Sequence, residues 1–139
     1  MADYTVVPAN VLASLQAQTS TGTTDAGVTI TAGQLLAQNA NGNMALYDAN
    51  SATAALTVLK GVALHGSAPG QPITYARSDP AFTPGFALTA VGDAVIGSQN
   101  PGMMCPDSDK ATGWYVTEVG RAISLTQIKL NIVATGVVR

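Results

Sequence analysis

The side chains that could do chemistry in this chain are few and far apart. His65 is the sole histidine and Cys105 the sole cysteine. A metal site at His65 would need a second His or a Cys at ligand spacing, and none flanks it. A nucleophilic Cys105 would need a base within reach, and no motif links it to His65. Met103-Met104-Cys105-Pro106 reads instead as a strand ending that carries a small buried hydrophobe. Asp107-Ser108-Asp109 opens like a calcium loop. However, Lys110 follows at once and Gly113 comes one place too late for the bend, so a solvated turn is expected. The 8 acidic residues are scattered, nearly all beside turn formers, and suggest no carboxylate pair for acid–base work. No glycine-rich phosphate loop precedes a helix. Trp114 and Tyr115 could stack on a sugar ring, but core or interface packing is the expected role. These residues predict no enzyme, no cofactor and no metal; the function is expected to lie in surfaces.

Composition sharpens that expectation. At 139 residues the chain is one domain, or two small lobes sharing a core. It is 47% hydrophobic but only 10% charged, against about 25% in ordinary soluble domains. Between Tyr4 and Tyr47 the only charged side chain is Asp25. A lone monomer with so bland a surface is poorly protected against association, which predicts that partner chains cover much of it. The alternative is that Ser, Thr, Asn and Gln keep a monomer soluble. Net charge is -2, and the six Lys and Arg form no stripe, so nucleic acid is not an expected partner. No signal peptide is evident, and no apolar run reaches the roughly 18 residues of a membrane span. A single cysteine excludes an internal disulfide. Synthesis in a cytoplasm is expected.

The elements that must build these surfaces read as short strands between turns. Tyr4–Pro8 is an extended arm, Asn10–Gln18 a brief helix with Val11, Leu12 and Leu15 on one face, and Thr19–Gly27 a polar loop. Strands are expected over Val28–Thr31, Gln34–Gln38 and Met44–Tyr47, with a hairpin turn at Asn41-Gly42. Asp48–Thr57 suits a short helical turn capped by Asp48 or Ser51. Val58–His65 and Pro72–Ala76 read as strands, and Ser78–Gly85, with two prolines, as a connection or projecting loop. Further strands are expected over Asp93–Ser98, Met103–Cys105, Trp114–Glu118, Arg121–Leu125 and Gln127–Ala134, the last with a wet face. Gly33, Asn41, Met44, Asp48, Ala52, Thr53, Gly61 and Ala63 recur 59 residues later as Gly92, Asn100, Met103, Asp107, Ala111, Thr112, Gly120 and Ala122. The recurring glycines and aspartates are turn formers, so the chain repeats a way of turning strands. The expected fold is mainly β: a small, tulip-like barrel or sandwich with one or two short helices and an internal repeat. Residues 1–27 form the arm, helix and loop, and residues 28–139 the β-rich domain, with echoed blocks near 33–77 and 92–134.

Four features along Gly33–Ala76 carry a family resemblance. A glycine opens a hydrophobic strand at Gly33-Gln34-Leu35-Leu36, and a strand ends at Tyr47-Asp48. A small-residue stretch precedes Gly61-Val62-Ala63-Leu64, and a hairpin follows at Ala68–Thr74. The pattern resembles the head decoration, or capsid cement, proteins of tailed bacteriophages, the lambda-type proteins among them. The resemblance implies a β-rich fold and homotrimers on the outer surface of the virion. It also implies the major capsid protein as partner, and no catalysis. It further implies that an N-terminal segment engages the capsid. Asp3, Tyr4, Thr5, Val6 and Val7 suit that role as a strand added to a partner's sheet edge, with Tyr4 and Val6 facing one side and Thr5 and Val7 the other. The competing expectation is that the arm completes the protein's own barrel. Phe82, in the Pro80–Pro84 loop, is the next candidate contact. A second reading is a carbohydrate-binding or fibre module that uses Trp114, Tyr115 or Phe82 as stacking groups.

Overall fold

Runs of β-branched and small apolar residues between Gly and Asn turns form the strands of a computed structural model, which describes residues 3–109 and 113–138. Among these residues the strands are β1 (Gln18–Thr23), β2 (Leu35–Gln38), β3 (Met44–Leu46), β4 (Gly61–Ala63), β5 (Pro72–Phe82), β6 (Ala94–Gly97), β7 (Met104–Pro106), β8 (Tyr115–Ala122) and β9 (Ile128–Val138). They make one antiparallel sheet in the order β3-β2-β4-β5-β9-β8-β6-β7, with β1 added to β5. The helical content is limited to short 3-10 turns at Pro8–Asn10, Ala54–Thr57 and Asp107–Asp109. The fold is therefore mainly β, of the small-barrel class. No helix among the described residues is long and apolar enough to cross a membrane.

The sheet order is a palindrome of two similar halves. Leu35 faces Val62 and Leu36 faces Gly61; 59 residues on, Ala94 faces Arg121 and Val95 faces Gly120. The Gly33 N–H donates to the Ala63 carbonyl at 2.8 Å, and the Gly92 N–H to the Ala122 carbonyl at 2.8 Å. Even a side-chain turn repeats: Gln34 Oε1 accepts from the Thr31 N–H, and Asp93 Oδ2 from the Ala90 N–H. Gly33 and Gly92 share a left-handed backbone, with φ of 89° and 92°, which glycine adopts without a Cβ penalty. At Gly61 a Cβ would stand 2.5 Å from the Ala76 carbonyl oxygen, and at Gly120 it would meet the Lys129 carbonyl. In both halves the glycine lets the next strand pass close by. The halves join where β5 pairs with β9, Ser78 facing Asn131.

The sheet curls, so both faces of its first half are buried. Along β2, Leu35 points into the main core with Tyr47, Val62, Phe82, Ile96, Met104, Trp114, Ile128 and Leu130. Its neighbour Leu36 points the other way, into a smaller core with Ile30, Met44, Ala63 and Ile73. An isolated bridge between Thr24 and Met44 brings the end of β1 against β3, the far edge of the same half.

Several expectations are corrected. No helix spans Asn10–Gln18. Leu12 and Leu15 point to solvent, and the Ser14 side chain and N–H are taken by Asp79 on β5, a tertiary contact that overrides helical bonding. The stretch read as a polar loop contains β1 instead. Its Thr and Ser residues suit an edge strand, and its lack of apolar residues hid it. Val28–Thr31 makes only an isolated bridge, at Ile30 to Ser67. Ser78–Gly85 is no projecting loop, because β5 runs on to Phe82. Pro80 is accommodated by an irregularity in the β5–β9 register between Asp79 and Phe82. Trp114–Glu118 and Arg121–Leu125 are not two strands, since β8 runs unbroken from Tyr115 to Ala122.

Candidate assembly surfaces

The arm alternates as a strand should, yet it lies against its own chain. The Tyr4 ring stacks on Phe86 with centroids 4.1 Å apart and planes 9° from parallel. The Tyr4 N–H donates to the Met104 carbonyl at 2.9 Å, and the Val7 N–H to the Gly85 carbonyl at 2.9 Å. Val6 packs on the main core, beside Gly33 and Gly85. Asp3 accepts a 2.6 Å hydrogen bond from Asn100 Nδ2. Thr5 and Val7 face outward. The inward pair thus covers the protein's own main core, the competing expectation for this segment. Phe82 is a correction: it is fully buried inside β5, so it cannot serve as a surface contact.

The other residues singled out by their chemistry are placed as structural parts. His65 is exposed. Its Nε2 accepts from the Thr74 N–H at 3.1 Å, so Nδ1 carries the proton that bonds the Gly66 carbonyl at 2.8 Å. The ring clamps the end of the β4–β5 hairpin. Cys105 is fully buried in β7. Trp114 is buried, with Nε1 donating to Gln99 Oε1 at 3.1 Å; of the three rings considered for stacking, only Tyr115 is exposed. A cleft of about 490 Å³ gathers Asp93, Asp107, Glu118 and Arg121 beside Tyr4 and Ile96. Arg121 Nε holds Glu118 at 2.7 Å, and Asp93 caps the turn at Ala90. Among the described residues, no three or more His, Cys, Asp or Glu side chains come together as a metal site.

The larger feature is apolar. A groove of about 720 Å³ runs between Val7, Val11, Leu12, Thr83, Phe86 and Ala87, and no charged residue lines it. Its rim exposes apolar side chains outright: Val7 is 47% exposed and Leu12 67%, while nearby in the chain Leu15 stands fully in solvent. Helical spacing had placed Val11, Leu12 and Leu15 on one face; the structure leaves Val11 packed inward and Leu12 and Leu15 outward. The signal that could have found this surface is the missing charge between Tyr4 and Asp25, because apolar side chains in a free polar segment would normally be interleaved with charge.

No family model matches the chain, and no curated protein matches it.

Proposed function

We propose that this chain is a structural protein of a tailed-phage head, one that associates with copies of itself and binds the outer surface of the capsid. The observation that carries the reading is the uncharged groove with its exposed Val7 and Leu12 rim, on a chain whose charged residues make up only 10%. Exposed apolar surface of this kind marks an interaction site. The strand-and-turn pattern over Gly33–Ala76 supplies the kind of partner through its resemblance to decoration proteins, and a homotrimer is the assembly that resemblance implies.

On this reading the protein acts by linkage. Binding the expanded lattice and not its precursor stabilises the expanded form by RT ln(1 + [L]/Kd), about 2.7 kcal/mol at a hundredfold excess over Kd. Several copies held together add avidity, because each further contact forms within one complex. With Tyr4 and Val6 turned inward, the outward Thr5 and Val7 are the arm residues left to meet the capsid. The test is co-sedimentation with expanded heads and with unexpanded precursor heads. Selective binding to expanded heads, weakened by Val7→Asp, is expected. Failure to sediment with any expanded head would refute the reading.

A further inference from the structure

The tip of the β2–β3 hairpin carries the one Asn-Gly pair in the chain. Asn41 and Gly42 are both exposed. Gly42 takes a positive φ, and where a Cβ would stand only Gln38 Nε2, at 3.9 Å, comes within 4 Å. The asparagines on either side are tied down. Asn39 Oδ1 accepts from the Asn41 and Asn43 N–H groups at 3.1 and 3.0 Å, and Asn39 and Asn43 both donate through Nδ2 to Asp25 Oδ1. The Asn41 carboxamide, by contrast, makes no hydrogen bond among the described residues. Elsewhere the residue after an asparagine obstructs its amide. Val11 and Ile132, which follow Asn10 and Asn131, are branched at Cβ; Ser51 follows Asn50; and Pro101, after Asn100, has no N–H. Of the seven asparagines, Asn41 alone joins an unheld side chain to a neighbour that puts no side chain in the way.

We propose that Asn41 is a modification site: it closes onto Gly42 and converts to isoaspartate, a one-way change that loosens the β2–β3 hairpin. The Gly42 backbone nitrogen gives its proton to solvent base and attacks Asn41 Cγ. A new N–C bond forms, the bond from Cγ to the amide nitrogen breaks, and ammonia leaves behind a five-membered succinimide. Water then opens the ring. Opening at the backbone carbonyl routes the main chain through the side-chain carbon, giving isoaspartate; opening at the other carbonyl gives aspartate. One water is consumed and one ammonia released, with no oxidation or reduction. The fold sets the pace. The Gly42 N–H donates to the Asn39 carbonyl at 3.0 Å, so the attacking nitrogen is engaged until the turn opens. Asn39 therefore guards the site, through that carbonyl and through its bonds to Asn41, Asn43 and Asp25. The product adds one backbone carbon and a negative charge to a turn whose Asn39 and Asn43 N–H and carbonyl groups must stay in register at 2.8 Å, beside the Asp25 carboxylate.

The test is to age the whole folded protein in mildly alkaline buffer and follow it by mass spectrometry, with fragmentation to locate the change. The chain should gain about one dalton at Asn41 before any other asparagine changes, and enzymatic methylation of isoaspartyl groups should label the same residue. Asn41→Gln should block both signals, because closure would need a larger ring. A short peptide spanning residues 38–44, with no hairpin to hold it, should convert faster than the protein. Asn39→Ala, aged well below its own melting temperature, should convert about fivefold faster or more, since the turn loses bonds that keep it shut. Aged wild type should melt lower than fresh protein, while aged Asn41→Gln should melt where it began. Four results would overturn the proposal: no gain at Asn41 while the peptide converts, an earlier gain at another asparagine, Asn39→Ala no faster than wild type, or isoaspartyl protein that melts like fresh protein.

Discussion

Single residues are held here by close fit as much as by polarity. Gly97 in β6 lies flat against the ring of Tyr47, and any Cβ there would enter the ring. Tyr47 is buried and cannot swing aside, because its hydroxyl donates to the Tyr115 carbonyl at 3.1 Å. Gly97→Ala should therefore cost about 1–3 kcal/mol as an overpacked core, read as a lower urea midpoint. Burial pushes the Tyr47 phenol above the usual tyrosine value near 10. Its neutral form is the one the fold holds, so its contribution is complete below pH 10 and is lost as pH rises toward the folded value. Spectrophotometric titration of the 4 tyrosines should show one ionising late, and Tyr47→Phe should remove that late step. Asp79 is the buried tie between Ser14 and β5. Asp79→Ala should cost about 2–3 kcal/mol in chemical denaturation, with Asp79→Asn recovering part of it, because three donors lose their acceptor. The sequence placed His65 and Cys105 among inert residues for lack of partners. It could not place Phe82, because two flanking prolines look like a loop until the register irregularity in β5 is known.

At the scale of elements, turns were the legible part and edge strands were not. Asn41-Gly42 announces its hairpin, and Gly42 does take a positive φ of 82°. The hairpin is tied to the β1 end by Asp25, whose Oδ1 accepts from Asn39 Nδ2 at 2.8 Å and Asn43 Nδ2 at 3.4 Å, and whose Oδ2 accepts from the Gly27 N–H at 3.3 Å. The Asn39 bond leads in holding its carboxyl below the usual aspartate value. A depressed folded value means the tie is present above about pH 4 and is lost as pH falls through the folded value. Chemical-shift titration should find Asp25 titrating low, and Asn39→Ala should move it back up. β1 was illegible because its partner, not its own pattern, makes it a strand: every residue of Gln18–Thr23 is polar or Gly. The arm was read correctly as an alternating segment, though alternation alone does not say which surface the inward side meets. Deleting residues 3–7 removes the Tyr4–Phe86 stack and uncovers the core at Val6, so Tm should fall by more than about 5 °C. An arm that merely trailed from the surface would leave Tm unchanged.

The whole molecule is two similar halves made into one sheet. The 59-residue echo was visible in sequence because the glycines that permit it have no substitute: the turn at Gly33 and Gly92 needs a positive φ, and the crossing at Gly61 and Gly120 leaves no room for a side chain. The apolar residues between them differ from one half to the other, which a core allows because it accepts many packings of similar volume. What could not be read was how the halves meet, because Ser78 and Asn131 carry no mark of facing one another. That seam sets how the protein responds to dilution. Two separate half-length chains would find each other only as fast and as fully as their concentration allowed. Joined through the segment that leads from β5 to β6, they meet at an effective concentration fixed by the length of the connection. However thinly the protein is spread, this partnership does not come apart by dilution.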